Sequence, residues 1–342
     1  MRMARSASLA ARDTIAGLAA PGRIIGLDLA RFVAIAGMVV VHAGELVMLP
    51  ASVGVGVDAG TAAGVLGWVQ AAATNRARLL FFLLAGVSLS LLAGRRRAGP
   101  GVLLKRAAFL TGLGVLLALL GWNDVVLVFY GVLFVLAPLL LRLTTPALLA
   151  VAATCALPAV LLFARDPGRE AGLTGAALVV GEVIPLFALG LTVGRLPLTA
   201  APTASRLALF GVALALPGLV VLAAADGLDV TEVDGPLELT SALTSTAGLA
   251  LLTLAGCVWT GKSTRAARWL LPAAAAGGMP LTLYVGHALL FPVVARTAEL
   301  TLAESTTLAA SYLAVGSAFA TVWRRGRSSG PVELTMRWIT RT

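Results

Sequence analysis

The feature that most constrains this chain is a succession of apolar stretches, each close to the ~20 residues that a helix needs to cross a bilayer. Their approximate limits are 25–47, 77–94, 102–121, 124–141, 146–164, 174–194, 206–224, 237–259, 270–294 and 305–323. Apolar residues make up 59% of the 342 and charged residues only 12%. A soluble domain carries about 25% charge, which it needs to stay in water. With a mean hydropathy of +0.95, the chain cannot be a soluble enzyme, a disordered tail or a secreted disulfide scaffold. The expected fold is all-α: a polytopic integral membrane protein, a bundle of about ten transmembrane helices.

The formal net charge is +10, but its placement argues against nucleic acid. Lys and Arg sit in short clusters between apolar stretches, with no basic run interleaved with aromatics. With the N-terminus inside, inner segments hold Arg2, Arg5, Arg12, Arg23, Arg95, Arg96, Arg97, Lys105, Arg106, Arg142, Arg195, Arg206, Lys262, Arg265 and Arg268. The tail adds Arg324, Arg325, Arg327, Arg337 and Arg341, while the outer side receives Arg76, Arg78, Arg165, Arg169 and Arg296. That asymmetry follows the positive-inside rule and predicts both termini in the cytoplasm. Acids gather in one outer loop, at Asp226, Asp229, Glu232, Asp234 and Glu238. The strong preference for Arg over Lys, together with abundant Ala, suggests a GC-rich, bacterial genome, and hence a multi-pass protein of the plasma (cytoplasmic) membrane. Cys155 and Cys257 fall in apolar stretches with no metal-ligand spacing, as core thiols do. Neither a metal nor a disulfide framework is expected.

Three regions are expected. Residues 1–23 form a basic cytoplasmic or interfacial segment, 24–323 the transmembrane domain and 324–342 a basic cytoplasmic tail. The first outer loop, about 48–76, is too apolar to be a solvated loop and suggests a re-entrant or interfacial segment.

Ionisable residues inside a span are costly and mark functional candidates. The first span contains Asp28, Arg31, His42 and Glu45. At 3.6 residues per turn all four share a stripe about 100° wide, with Arg31 and His42 nearly eclipsed and about 16 Å apart along the axis. Acids three residues from each base suggest paired groups, with Asp28 holding the Arg31 guanidinium and Glu45 orienting His42. End charges that snorkel to the interfaces would explain Asp28 and Glu45 adequately, Arg31 less well and His42 poorly.

Arg31, ten residues, then His42 resembles the Arg-x10-His motif in the first span of the acyltransferase-3 superfamily. L-D-L-A-R-F-V-A is similar to its L-D-x-x-R-G-x-A opening, with Phe32 in place of the usual Gly. The second span, N-R-A-R-L-L-F-F-L-L-A-G-V-S-L-S-L-L-A-G-R-R-R from Asn75 to Arg97, resembles the superfamily's F-F-x-L-S-G span with its basic exit. P-L-T-L-Y-V-G-H-A-L-L from Pro280 to Leu290 and G-P-V-E-L-T-M-R from Gly330 to Arg337 are similar to the closing motifs of the YeiB-like family. That family is distantly related to heparan-α-glucosaminide N-acetyltransferases and often carries Asn at the place of His42. The resemblance covers about 23–97 and 278–338 and is only hydropathic between them.

The resemblance implies transfer of an acyl group, most simply acetyl, from cytoplasmic acyl-CoA to a sugar hydroxyl or amine of an envelope glycan or glycolipid. His42 would be the general base or a nucleophile, since imidazole changes charge near neutral pH. Arg31 suits a phosphate or the thioester region. Arg95, Arg96, Arg97, Lys105 and Arg106 could take CoA phosphates, or serve only as topology determinants. His287, with Tyr284 three residues earlier on the same face, would hydrogen-bond the substrate or His42, or be a satisfied core histidine. Arg76 and Arg78 break the positive-inside pattern, and so suggest an anionic acceptor or pairing with Asp58 and Glu45; Asn75 is a weaker neighbour. Glu182 is expected to be paired, whereas Asn123 and Asp124 suit a solvated turn. Glu333 and Arg337, at i and i+4, suggest an amphipathic inner-face helix acting as a latch.

The partners expected are therefore the lipid bilayer, acyl-CoA and a glycan or glycolipid acceptor, without nucleic acid; self-association as a homo-oligomer is open. The competing function is a transporter or flippase for a small molecule or lipid-linked precursor. Duplicated halves with matching Gly/Pro-broken helices would mark such a protein, and none is evident. A membrane protein without turnover would leave the eclipsed Arg31 and His42 unexplained.

Overall fold

The computed structural model describes residues 23–47, 73, 76–96, 99–122, 126–165, 179–227 and 235–340. Several sequence expectations lie outside these residues: the segment before Arg23, the re-entrant 48–72, Asn75, Arg97, Asn123, Asp124, the loop beyond Arg165, and the acids at 229–234. Numbered along the described chain, the helices are α1 (Ile25–Gly44), α2 (Arg76–Arg96), α3 (Pro100–Leu119), α4 (Val126–Leu140), α5 (Thr145–Arg165), α6 (Ile184–Val193), α7 (Ala201–Gly227), α8 (Gly235–Lys262), α9 (Thr264–Trp269), α10 (Leu271–Gly277), α11 (Pro280–Thr297), α12 (Leu302–Trp323) and α13 (Pro331–Thr340). A π-helical turn, Val179–Val183, leads into α6. Among the described residues no strand forms; Val47 and Leu300 make an isolated parallel bridge.

The protein is thus an all-helical, multi-pass membrane protein. Among the described residues six helices are long and apolar enough to cross a bilayer: α1, α2, α3, α7, α8 and α12. The expected span 270–294 is not one rod. It is the pair α10 and α11, bent by 81°. The cause is local. Pro280 opens α11 at a position where its missing N–H is harmless. The residue before a proline is pushed out of the helical region, and Met279 has φ −136 and ψ 53. Counting the bent pair as one span gives up to seven. Three further apolar stretches are shorter: Val126–Leu140, Thr145–Leu157 and Val180–Val193.

The helices fall into two compact units. The first contains residues up to Arg78, Gly114–Val125 and Cys257–Arg341. Within it α10 packs on α1 and α12, α12 packs on α1, and α11 packs on α1 and α13. Without a hydrophobic drive between helices in lipid, small residues that let backbones approach set such crossings. A Cβ at Gly277 would collide with the backbone oxygen of Asp28, and one at Gly261 would meet the Gly26 backbone. The second unit contains Leu79–Leu113 and Val126–Gly256. There α6 packs on α5 and α4, Gly86 and Gly190 lie backbone to backbone, and the Tyr130 hydroxyl donates to the Phe81 carbonyl at 2.6 Å.

Candidate active site

Two polar groups lie at opposite ends of α1 in the first unit. The first is built on His42, in the last turn of α1, and His287, in the middle of α11. Both rings are buried. His42 Nδ1 lies 3.1 Å from His287 Nε2, and the rings are nearly parallel, with centroids 5.2 Å apart. His287 Nδ1 in turn lies 3.1 Å from the Leu283 carbonyl, one turn earlier on α11.

This chain of contacts assigns the tautomers. A carbonyl oxygen only accepts, so His287 Nδ1 carries the proton. With both imidazoles neutral, His287 Nε2 is an acceptor and His42 Nδ1 must donate to it. His42 Nε2 then carries the lone pair. Which nitrogen is basic is set by the bond the other one makes. Here a second imidazole makes that bond, where hydrolytic triads use a carboxylate.

Aromatic groups enclose the pair. Trp122 meets His42 edge-to-face at 4.7 Å and His287 at 5.2 Å. His287 also meets Tyr284 at 5.1 Å, Phe291 at 5.5 Å and Tyr312 at 6.1 Å. Ring pairs favour such edge-to-face geometry, since the ring edge is positive and the face negative. Their polar tips are used as well: Trp122 Nε1 donates to the Tyr284 hydroxyl at 3.0 Å, and the Tyr312 hydroxyl donates to the Leu283 carbonyl at 2.6 Å. Leu283 therefore accepts from both His287 and Tyr312. Gly286 makes room for the Tyr312 hydroxyl, which a Cβ there would strike.

Local sequence explains how Trp122 reaches the pair. Helix α3 ends in a Schellman turn: Trp122 N–H bonds Leu117 O at 2.9 Å and Gly121 N–H bonds Ala118 O at 3.0 Å. Gly121 takes φ +97, a left-handed conformation that glycine adopts without strain.

The second group is at the start of α1. Asp28 is buried, and its two oxygens are used separately: Arg23 Nε donates to Oδ2 at 2.6 Å and Arg31 NH1 to Oδ1 at 3.0 Å. The expected Asp28–Arg31 pair is present, and Arg23 joins it. Arg324, at the C-cap of α12, reaches the same place: the guanidinium groups of Arg324 and Arg23 both lie against Gly278, where a Cβ would collide with them.

The remaining candidates lie as follows. Glu45 is exposed at the C-cap of α1. His42 Nδ1 faces His287, so the orienting contact expected from Glu45 is made by the second imidazole. Arg76 and Arg78 are half-buried in the first turn of α2. Arg95 and Arg96 end α2 and Arg106 lies on α3, all within the second unit rather than the unit of the imidazole pair. Glu182 is half-buried in the π-helical turn. Among the described residues no group of three or more His, Cys, Asp or Glu is placed to hold a metal ion.

Glu333 acts as the expected latch, tying α13 to the start of α11. Its Oε1 accepts from the Leu281 and Thr282 N–H groups at 2.8 and 3.1 Å, and its Oε2 from the Thr282 hydroxyl at 2.5 Å. The carboxylate of α13 thus satisfies the first N–H groups of α11, which a helix leaves without partners of its own. It fixes the helix that carries His287.

Sequence reasoning missed Trp122, Tyr312, the Leu283 carbonyl, Arg23 and Arg324 as site residues. One signal was available for Tyr312. The chain has only three tyrosines and two histidines, and both histidines with two of the tyrosines converge here.

Comparison with known families gives two matches. Residues 23–178 match the family described as "Heparan-alpha-glucosaminide N-acetyltransferase, catalytic". Residues 196–342 match the one described as "Protein of unknown function (DUF418)". No curated protein and no solved structure matches. The first match contains His42, Arg31, Asp28 and Trp122, and the second contains Tyr284, His287 and Tyr312. The two matches support a relationship to the YeiB-like and heparan-α-glucosaminide N-acetyltransferase families, and stop short of the wider acyltransferase-3 superfamily suggested by the Arg31–His42 spacing.

Proposed function

We propose that this protein is a membrane acyltransferase, most simply an acetyltransferase. It takes the acyl group from cytoplasmic acyl-CoA and passes it to a hydroxyl or amine of an envelope glycan or glycolipid. The observation that carries this reading is the buried His42–His287 pair, whose hydrogen bonds leave the lone pair on His42 Nε2. The match over residues 23–178 supports acetyl transfer in particular.

The reaction needs one base. His42 Nε2 takes the proton of the acceptor O–H or N–H as that atom attacks the thioester carbonyl. The new C–O or C–N bond forms, the C–S bond breaks, and the imidazolium returns its proton to the departing CoA thiolate. His287 accepts the His42 Nδ1 hydrogen bond throughout, which holds the ring and disperses the transient charge. The surrounding aromatic side chains limit water and so disfavour hydrolysis of the thioester. With both termini cytoplasmic in a plasma membrane, as the Lys and Arg distribution supports, Arg31 faces the donor side. His42, Arg76 and Arg78 then face the acceptor side, where the arginines suit an anionic acceptor.

The test is turnover by purified protein. Wild type should release free CoA thiol from acetyl-CoA, faster when a glucosamine-containing acceptor is added. A positioned base contributes about 10²–10⁴-fold, so His42→Ala should lose at least about 100-fold at unchanged protein yield. Wild-type protein that neither binds nor consumes any acyl-CoA would refute the proposal. Substrate movement into liposomes without a donor would favour a transporter.

A further inference from the structure

The chain repeats one dipeptide near the ends of two short helices. Arg268–Trp269 closes α9, and Arg337–Trp338 lies in the last turn of α13. Both helices leave from the same end of the first unit. Gly261, just before α9, packs against the Gly26 backbone at the start of α1. Gly330, just before α13, faces Met279 and Thr282 at the start of α11. Gly278, beside Met279, lies against the guanidinium of Arg23, which precedes α1.

Each helix turns its apolar and basic residues outward. In α9, Arg265, Arg268 and Trp269 are spaced i, i+3, i+4 and share one face. All three are exposed, Trp269 by 83%. In α13 the inner face holds Glu333, whose carboxylate accepts from the Leu281 and Thr282 N–H groups. Trp338 and Ile339 lie about 140° and 120° away from Glu333 around the helix, and are 76% and 44% exposed. A helix of ten residues is marginal in water by itself, so α13 depends on what covers both of its faces.

Charge and side-chain type indicate the occupant of the open face. Among the described residues at this end every exposed charge is positive, with Arg325 on the connection between α12 and α13. The two carboxylates there, Asp28 and Glu333, are already bonded. Arginine beside tryptophan matches a lipid headgroup layer, where the guanidinium meets phosphate and the indole sits at the boundary with the acyl chains. We propose that α9 and α13 dock on an anionic lipid surface, and that seating Trp338 and Ile339 in it holds Glu333 on α11, the helix that carries His287. The inference stands apart from the reaction proposed for His42.

The test is hydrogen–deuterium exchange of the purified full-length protein in nanodiscs of phosphatidylcholine, with and without phosphatidylglycerol. The amides of Leu281 and Thr282 report the latch directly, because they donate to Glu333. Each basic residue near an anionic surface is worth about 5-fold in binding, so the anionic lipid should slow exchange of these amides and of α13 at least about 10-fold. Raising salt to about 1 M should return the wild-type rates to those in phosphatidylcholine, a readout that needs no variant. Arg265→Gln with Arg268→Gln should lower the lipid effect several-fold, and Trp338→Ser should abolish it. Glu333→Gln should speed exchange at Leu281 and Thr282 while leaving the Trp338 indole shielded from aqueous quenchers. Equal exchange in the two lipid compositions would overturn the proposal. So would slow exchange in detergent that increases with protein concentration, which would assign the face to a second copy of the chain. Protection of α13 by the anionic lipid without any change at Leu281 and Thr282 would overturn the coupling to α11.

Discussion

The two ends of α1 hold their polar groups in opposite ways. Near Gly44, His42 is buried with His287 among Trp122, Tyr284, Phe291 and Tyr312. The groups there bond one another: His42 to His287 to Leu283, with Tyr312 also on Leu283. Near Ile25 the groups are formal charges, and the side chains of Arg23 and Arg31 remain 19% and 23% exposed. Taking an ion out of water is far more costly than burying a hydrogen-bonded neutral group. One helix can therefore carry a dry imidazole pair at one end and a wetter charged group at the other only if each has the side chains suited to its setting.

The largest expected effects fall on the dry end. His42→Ala should remove turnover by at least about 100-fold. In the proposed reaction His287 acts through His42 as a positioning residue. His287→Phe, which keeps a ring and removes the acceptor, should lower kcat by about 10–100-fold with little change in KM. His287→Gln, whose side-chain carbonyl can accept from His42 Nδ1, should recover part of that loss. Equal activity in the Phe and Gln variants would separate the pair's packing from its hydrogen bond and break the contrast between the two ends of α1.

Changes at the charged end should act on stability and on the donor. Asp28→Asn leaves two arginines without their carboxylate and should destabilise the protein by about 1–3 kcal/mol, checked by thermal unfolding in detergent. It should also raise KM for acetyl-CoA more than it changes kcat. Gly277→Ala forces a methyl group against the Asp28 carbonyl and should cost a similar ~1–3 kcal/mol by overpacking. The smallest effect is expected from Tyr312→Phe, which removes one of two donors to Leu283. A loss of about 1 kcal/mol in unfolding stability with nearly normal kcat would fit a supporting role. A collapse of kcat would instead place Tyr312 in the reaction.

Much of α1 was legible because helical periodicity is simple arithmetic: Asp28 three residues before Arg31 forms the expected ion pair. His287 and Tyr284 stood out because they are rare polar residues in an apolar helix. The partner of His42 was not legible. Glu45 is nearer along the chain, and nothing local shows that α11 brings an imidazole 245 positions away to the same nitrogen. Trp122 was hidden in what looked like a bare connection, since a left-handed Gly121 turn aims it inward only once α3 is in place. Arg324 counted as one more topological charge; its role depends on where α12 ends. The break at Gly278–Met279 carried its own signal, Gly-Gly-Met-Pro, which average hydropathy concealed.

The claim on which the account depends is the tautomer of His42, and the chain is well suited to measuring it because it has only two histidines. With 15N-histidine incorporated, ring-nitrogen chemical shifts of the purified protein at neutral pH report which nitrogens carry protons, and a His287→Gln sample assigns the signals. The account predicts Nδ1–H on both rings, with a lone pair at His42 Nε2. A proton on His42 Nε2, with Nδ1 as the acceptor, would contradict it.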